Sequence, residues 1–179
     1  MYSFPLHDNF PETLPAFIEI SKNSNIKYEW DEENHVLTLD RILHSSVVYP
    51  ENYGFIPQTL CEDGDPLDVL ILSNQQLLPG TIANVRPICY MNMTDEKGRD
   101  EKLLAILEKE PYFRNFRSIN DVSEHKLNEI REFFGTYKNL EPNKWSKIDK
   151  WNDYEKTIEL IKSCHQKYLT KLKETGIRI

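Results

Sequence analysis

A chain of 179 residues, 39% hydrophobic and 28% charged, has the composition of one globular domain with a sizeable core, and excludes a disordered or fibrous class. Its net charge of −7 excludes a general attraction for nucleic acid or anionic membrane, so an anionic ligand would need locally placed Lys and Arg or metal ions. It contains no apolar run of the length a membrane-spanning helix needs, and Met1–Phe10 lacks the basic and apolar regions of a signal peptide.

The first two-thirds reads as short strands broken by turn residues. Phe17–Ile20, Ile26–Trp30, Val36–Asp40, Val47–Tyr49, Val69–Leu72 and Thr81–Met91 are rich in Val, Ile, Thr and Tyr, with Pro, Gly or Asn between them. Asn52-Tyr53-Gly54-Phe55 and Leu78-Pro79-Gly80 read as tight turns. Asp100–Glu110 scores as helix by propensity, through Leu103, Leu104, Ala105 and Leu107. The last third changes period. Leu127, Ile130, Phe133, Phe134 and Tyr137 recur at helical spacing behind Ser123, a possible N-cap. Asn152-Asp153-Tyr154-Glu155 resembles a capping box, and Ile158, Ile161, His165, Tyr168, Leu169 and Leu172 form the stripe of a second helix ending near Gly176. The pattern is α+β, a strand-rich body suggesting a small barrel, followed by two helices. Cys61, Cys89 and Cys164 are far apart in sequence, odd in number and free of any CxxC pair. They read as free thiols suited to the cytosol, not as a zinc site or disulfide framework.

The most informative stretch is Asp63-Gly64-Asp65-Pro66-Leu67-Asp68-Val69, with three carboxylates just before an apolar strand. Their repulsion calls for water or a cation, and Mg²⁺ commonly joins one or two carboxylates to a phosphate. A solvated acidic turn is the plainer reading of such a pattern taken alone. A second acidic cluster, Asp95 to Lys102, offers Asp95 and Asp100 as ligands. Cationic and phenolic residues stand opposite: Lys27, Arg41, Tyr53, Tyr137 and Lys138. Lys27 and Glu29 alternate and so share one face of a strand. The five histidines show no ligand spacing.

These motifs resemble the family I soluble inorganic pyrophosphatases of the bacterial type. Asp63-Gly64-Asp65-Pro66-Leu67-Asp68-Val69 fits that family's signature, as do Ile18-Glu19-Ile20, Ile26-Lys27-Tyr28-Glu29, Asp40-Arg41, Tyr49-Pro50-Glu51-Asn52-Tyr53-Gly54 and Met93-Thr94-Asp95-Glu96. The match continues through Asp100, Lys102, Phe133-Phe134, Tyr137-Lys138 and Lys144-Trp145.

The resemblance implies one pyrophosphatase domain over the whole chain: a five-stranded OB-like β-barrel with flanking helices, one C-terminal. It places Asp100–Glu110 in a barrel strand. It implies Mg²⁺-dependent hydrolysis of pyrophosphate, with several Mg²⁺ ions per site. Asp63, Asp68, Asp95 and Asp100 would be metal ligands, Glu19 and Glu29 would help hold metals or their waters, and Asp65 would be the general base. Lys27, Arg41, Tyr53, Lys102, Tyr137 and Lys138 would hold the phosphates. It further implies a cytosolic homohexamer that binds neither nucleic acid nor membrane. Glu132 and Thr136 depart from the pattern, standing where some bacterial relatives place histidines at a subunit contact.

Three rivals remain in view. An aspartyl-phosphate hydrolase needs Thr or Val at the position of Leu67. A nucleic-acid-binding OB-fold wants a basic groove with stacking aromatics. An inactive scaffold would lack a catalytic residue.

Overall fold

The computed structural model describes residues 6–175. The predicted helix stop at Gly176 lies outside the described residues. In chain order the elements are β1 (Leu14–Ile20), β2 (Ile26–Asp31), β3 (Val36–Ile42), β4 (Asn52–Ile56), β5 (Leu67–Leu72), β6 (Ile82–Asp95), β7 (Gly98–Arg99), β8 (Lys102–Leu107), α1 (Glu124–Thr136), β9 (Ser146–Asn152) and α2 (Tyr154–Thr175).

Five strands close on themselves in the order β1-β4-β5-β8-β6, because β1 pairs with both β4 and β6. This ring with its two helices is the α+β, OB-like architecture that the resemblance implied. β6 runs for 14 residues, and its far end carries β7 and β9. β2 and β3 form a separate two-stranded sheet.

The ring is buried on both faces. Leu70, Leu72, Leu104 and Ile106 pack in one core with Ile130, Phe133, Phe134 and Tyr137 at α1. Val69, Ile71, Leu103 and Ala105 pack in a second with Ile161 and Cys164 of α2. Two-sided burial of the parallel pair β5–β8 calls for unbroken apolar runs in place of alternation. Hence Lys102–Leu107 looks helical by propensity yet forms a strand, with burial contributing about 1.5–3 kcal/mol per large apolar side chain.

Four local readings need correction. Asn52-Tyr53-Gly54-Phe55 is β4, not a turn. A Cβ at Gly54 would lie 1.8 Å from the Phe17 carbonyl oxygen, so this glycine permits close approach of β1. Val47–Tyr49 forms no strand, although Asn23 and Tyr49 are joined by a 2.9 Å backbone hydrogen bond. β9, read as no element in the sequence, pairs with β6. The α2 cap is Asp153, whose Oδ1 accepts from the Lys156 N–H at 3.1 Å, while Asn152 ends β9. The other helix start agrees with expectation: the Ser123 side chain accepts from the Lys126 N–H.

Candidate active site

The parallel strands β5 and β8 both begin at one cleft of about 540 Å³. Their register sets Asp68 beside Lys102. Both side chains continue the face of Leu70 and Leu104, so the core on the α1 side runs out into a buried ion pair. Lys102 Nζ lies 2.5 Å from Asp68 Oδ2 and 2.6 Å from Asp100 Oδ1. It also donates to the Tyr53 hydroxyl at 3.2 Å and sits 5.5 Å from the Phe134 ring centroid. Burial opposes the ammonium charge, but Asp100 and Asp68 outweigh it and hold the lysine pKa well above its ordinary value. Burial pushes the Asp100 carboxyl up to about 6, with Asp68 adding to the rise and Lys102 opposing it.

A second buried pair forms where β6 turns into β7. Asp95 accepts the Lys97 N–H at 2.8 Å, and Lys138 Nζ, just past the end of α1, lies 2.6 Å from Asp95 Oδ2. Lys138 also reaches Glu96 at 3.2 Å. Burial works against Asp95 ionisation, yet the bonds from Lys138 and Lys97 prevail and hold its carboxyl below the ordinary range.

The acidic loop before β5 is built differently. Gly64 takes a φ of +93°, a conformation glycine adopts without penalty, and this lets the Asp65 N–H donate to Asp63 Oδ1 at 3.0 Å. The Asp63 carboxyl is raised, chiefly by burial, with Asp65 and Asp68 adding repulsion. The Asp65 side chain is 61% exposed and meets Lys97 at 3.5 Å.

The β2–β3 hairpin forms the far wall. Lys27 contacts Glu29 closely, as their alternation predicts, and reaches Asp40 at 3.3 Å. Arg41 is gripped from two sides, by Asp40 at 2.5 Å and by Glu141 at 2.9 Å. Glu19, at the end of β1, accepts the Trp30 N–H at 2.8 Å. Burial is the main cause raising its carboxyl to about 8, against that hydrogen bond.

All thirteen residues singled out from the sequence line this cleft: Glu19, Lys27, Glu29, Arg41, Tyr53, Asp63, Asp65, Asp68, Asp95, Asp100, Lys102, Tyr137 and Lys138. Among the described residues no three carboxylate, histidine or cysteine side chains converge on one point, and lysines stand between the aspartates. Sequence reasoning did not single out Asp40, Glu96, Lys97 or Glu141, the partners that hold Arg41, Lys138 and Asp65. Asp40 and Glu96 adjoin named residues and were within reach of the motifs. Glu141 gives no such signal, since 100 residues separate it from Arg41. Among the described residues no helix is long and apolar enough to cross a membrane.

Comparison with known proteins identifies the family. A family model described as inorganic pyrophosphatase matches residues 16–169. The inorganic pyrophosphatase of Saccharolobus solfataricus is 49% identical over 156 residues, covering 86% of this chain and 91% of the relative. That of Helicobacter pylori is 45% identical over 159 residues, 88% of this chain and 92% of the relative. The crystal structure of inorganic pyrophosphatase from Thermus thermophilus superposes with a TM-score of 0.90 at 41% identity, covering 93% of this chain and 97% of the other. With archaeal and bacterial relatives matching over most of its length, the chain belongs to the inorganic pyrophosphatase family.

Proposed function

We propose that this cleft hydrolyses pyrophosphate to two orthophosphates with Mg²⁺, and that Asp65 is the general base. The observation that carries the reading is the interleaving of charge: Asp63, Asp68, Asp95 and Asp100 share one cleft with Lys27, Arg41, Lys102 and Lys138. A cleft of one sign would bind either cations or a polyanion. This one suits both together, as phosphoryl transfer requires.

The donor set fits Mg²⁺. Its atoms are carboxylate oxygens, from Asp63, Asp68, Asp95, Asp100, Glu19 and Glu29 along the cleft. Mg²⁺ keeps several waters and needs one or two carboxylates plus a phosphate, not a closed cage. When bound, Mg²⁺ supplies neutralisation of phosphate charge and a lower pKa for the attacking water.

The chain's own groups do the rest. Arg41 offers a planar fork to one phosphate, with Glu141 and Asp40 fixing its plane. Lys27, Lys102 and Lys138 act as point charges. Tyr53 and Tyr137, whose hydroxyl pKa values burial raises, stay protonated and donate neutral hydrogen bonds. Asp65 takes the proton of the attacking water as the new P–O bond forms and the bridging P–O bond breaks. Its exposure suits that task, because its carboxylate carries no buried lysine.

The family likeness also supports a cytosolic homohexamer, and Leu78 (72% exposed) and Leu39 (60% exposed) are apolar side chains that assembly could cover. The test is phosphate release from pyrophosphate, ATP and a phosphomonoester, with and without EDTA, on protein whose mass is read by light scattering. Rapid release from pyrophosphate alone, abolished by EDTA, and a mass several times 21.2 kDa are expected. Full activity in excess EDTA after dialysis overturns the metal requirement, and a stable monomer overturns the assembly.

A further inference from the structure

Two of the three cysteines, separated by 103 residues in sequence, meet in space. Cys61 Sγ and Cys164 Sγ lie 3.4 Å apart. Cys61 precedes the acidic loop and Cys164 lies in the middle of α2. Both are free thiols, and they are buried, 8% and 2% exposed. The third, Cys89, is also buried but belongs to the core on the α1 side.

The contact sits in a seam that ties the acidic loop to α2. The Leu60 N–H donates to the Cys164 carbonyl at 3.0 Å, and His165 Nδ1 lies 2.8 Å from the Gln58 carbonyl oxygen. On the loop side, the Cys61 N–H donates to the Asp65 carbonyl at 2.8 Å and the Gly64 N–H to the Cys61 carbonyl at 3.3 Å. Cys61 is therefore the joint between α2 and the turn that carries Asp63 and Asp65.

We infer that Cys61 and Cys164 form a reversible dithiol–disulfide pair that staples the acidic loop to α2 when the protein meets a peroxide. The sulfurs need close only from 3.4 Å to a bond length of about 2.05 Å, a shift within reach of small side-chain rotations. Hydrogen peroxide oxidises one thiol of the pair to a sulfenic acid and leaves as water. The other thiol then attacks that sulfur, the S–S bond forms, and the hydroxyl departs as a second water. In sum, two thiols lose two electrons and two protons, and one peroxide is reduced to two waters. In a reducing compartment the pair rests as thiols, consistent with a transient disulfide of the redox-responding kind.

The bond would close a loop of about a hundred residues, the regime in which a cross-link restricts the unfolded chain most. It would also resist local opening of the segment from Leu60 to Asp65. The test uses the purified full chain, treated with hydrogen peroxide and then with dithiothreitol. Expected are the loss of two hydrogens per chain and one peptide linked through Cys61 and Cys164. Tm should rise by about 5–10 °C, and amide exchange should slow at Leu60, Cys61 and Gly64, all reversed by dithiothreitol. Cys61→Ser and Cys164→Ser should each abolish these changes, and Cys89→Ser should keep them. The peptide map of the unmutated protein decides the matter even if a variant folds poorly. A link through Cys89 or between chains, sulfinic acid on Cys61 without a link, or thiols that stay reduced would each overturn the pairing. A linked peptide without slower exchange would overturn the staple.

Discussion

Asp68 and Asp95 lie on ring strands, and each has a nearly buried lysine ammonium within 2.6 Å. Asp63 and Asp65 lie five residues or fewer from Asp68, yet the only partners described for their carboxylates are a backbone N–H and an exposed Lys97 at 3.5 Å. The same side chain thus serves in two settings. Where pairing with neighbouring strands fixes the backbone, a carboxylate is fixed and neutralised beforehand, as a structural charge must be when taken out of water. Where a glycine turn carries the chain outward, Asp63 is half-buried and Asp65 is exposed, and neither carboxylate is held by a buried lysine. A hydrolytic site that must hold charge and also move a proton needs both settings side by side.

The strongest way to break this contrast is to exchange the roles. Asp65→Asn keeps size and hydrogen-bonding reach but cannot accept a proton. The variant should fold, retain Mg²⁺ and pyrophosphate binding, and lose kcat by about 10²–10⁴. Its residual rate should rise with pH, as hydroxide partly replaces the base. Asp68→Asn should instead weaken Mg²⁺ binding, with partial recovery at high Mg²⁺. Paired titrations of kcat against Mg²⁺ at several pH values separate the two. Recovery of Asp65→Asn by Mg²⁺, with Asp68→Asn left inactive, would mean that the ring carboxylate is the base.

A smaller effect tests the fixed side of the contrast without any substrate. Glu19 is buried on the ring with no lysine in hydrogen-bonding range, and its carboxyl is raised from 4.5 to about 8. The folded state therefore holds a proton that the unfolded chain releases. Stability from this group is complete below the unfolded pKa and declines as pH rises toward 8. In EDTA the Tm should fall across roughly pH 5–8, by no more than about 3–5 °C per pH unit, and Glu19→Gln should flatten that slope. Asp100, raised to about 6, steepens the lower part of the same window. Bound Mg²⁺ favours the ionised carboxyl, so the slope should shrink and protons should be released on binding. An identical slope in Glu19→Gln would remove Glu19 from the account.

What was legible in the sequence follows the same division. The acidic loop announced itself because several unusual residues are crowded into one short stretch, and α1 and α2 because their apolar spacing is periodic. The ring was harder to read. β4 looked like a turn because Gly54, placed for close approach to Phe17, carries the same letter as a turn glycine. β8 looked helical because burial on both faces erases alternation. β9 is mostly polar and buries only Asn152 fully, and it exists because β6 offers it an edge. Pairings across the chain, Arg41 with Glu141 and Cys61 with Cys164, depend on where the fold places distant segments, which no local pattern records.

The smallest contrast lies between two groups proposed to hold phosphate, one on each side of the division. Arg41 stands on the β2–β3 hairpin, outside the ring, and Tyr53 lies on ring strand β4 against Lys102. Arg41→Ala removes a charge-assisted bidentate grip and leaves Asp40 and the buried Glu141 short of a partner, although Lys144 still reaches Glu141 at 3.2 Å. The loss in kcat/KM should be about 1.5–3 kcal/mol, roughly 10- to 150-fold. Tyr53→Phe removes the hydroxyl proposed to donate to phosphate, together with its 3.2 Å bond from Lys102, and leaves the ring, the packing and the Lys102 ion pairs in place. Its cost should be about 0.5–1.5 kcal/mol, roughly 2- to 12-fold. Arg41→Lys should recover only part of the arginine effect, because an ammonium cannot reproduce the fork. Steady-state kinetics of the three variants at saturating Mg²⁺ gives the ranking. If Tyr53→Phe proved the most damaging, the hydroxyl would be contributing through its bond to Lys102 rather than through phosphate, and the assignment of Tyr53 as a neutral donor to substrate would fail.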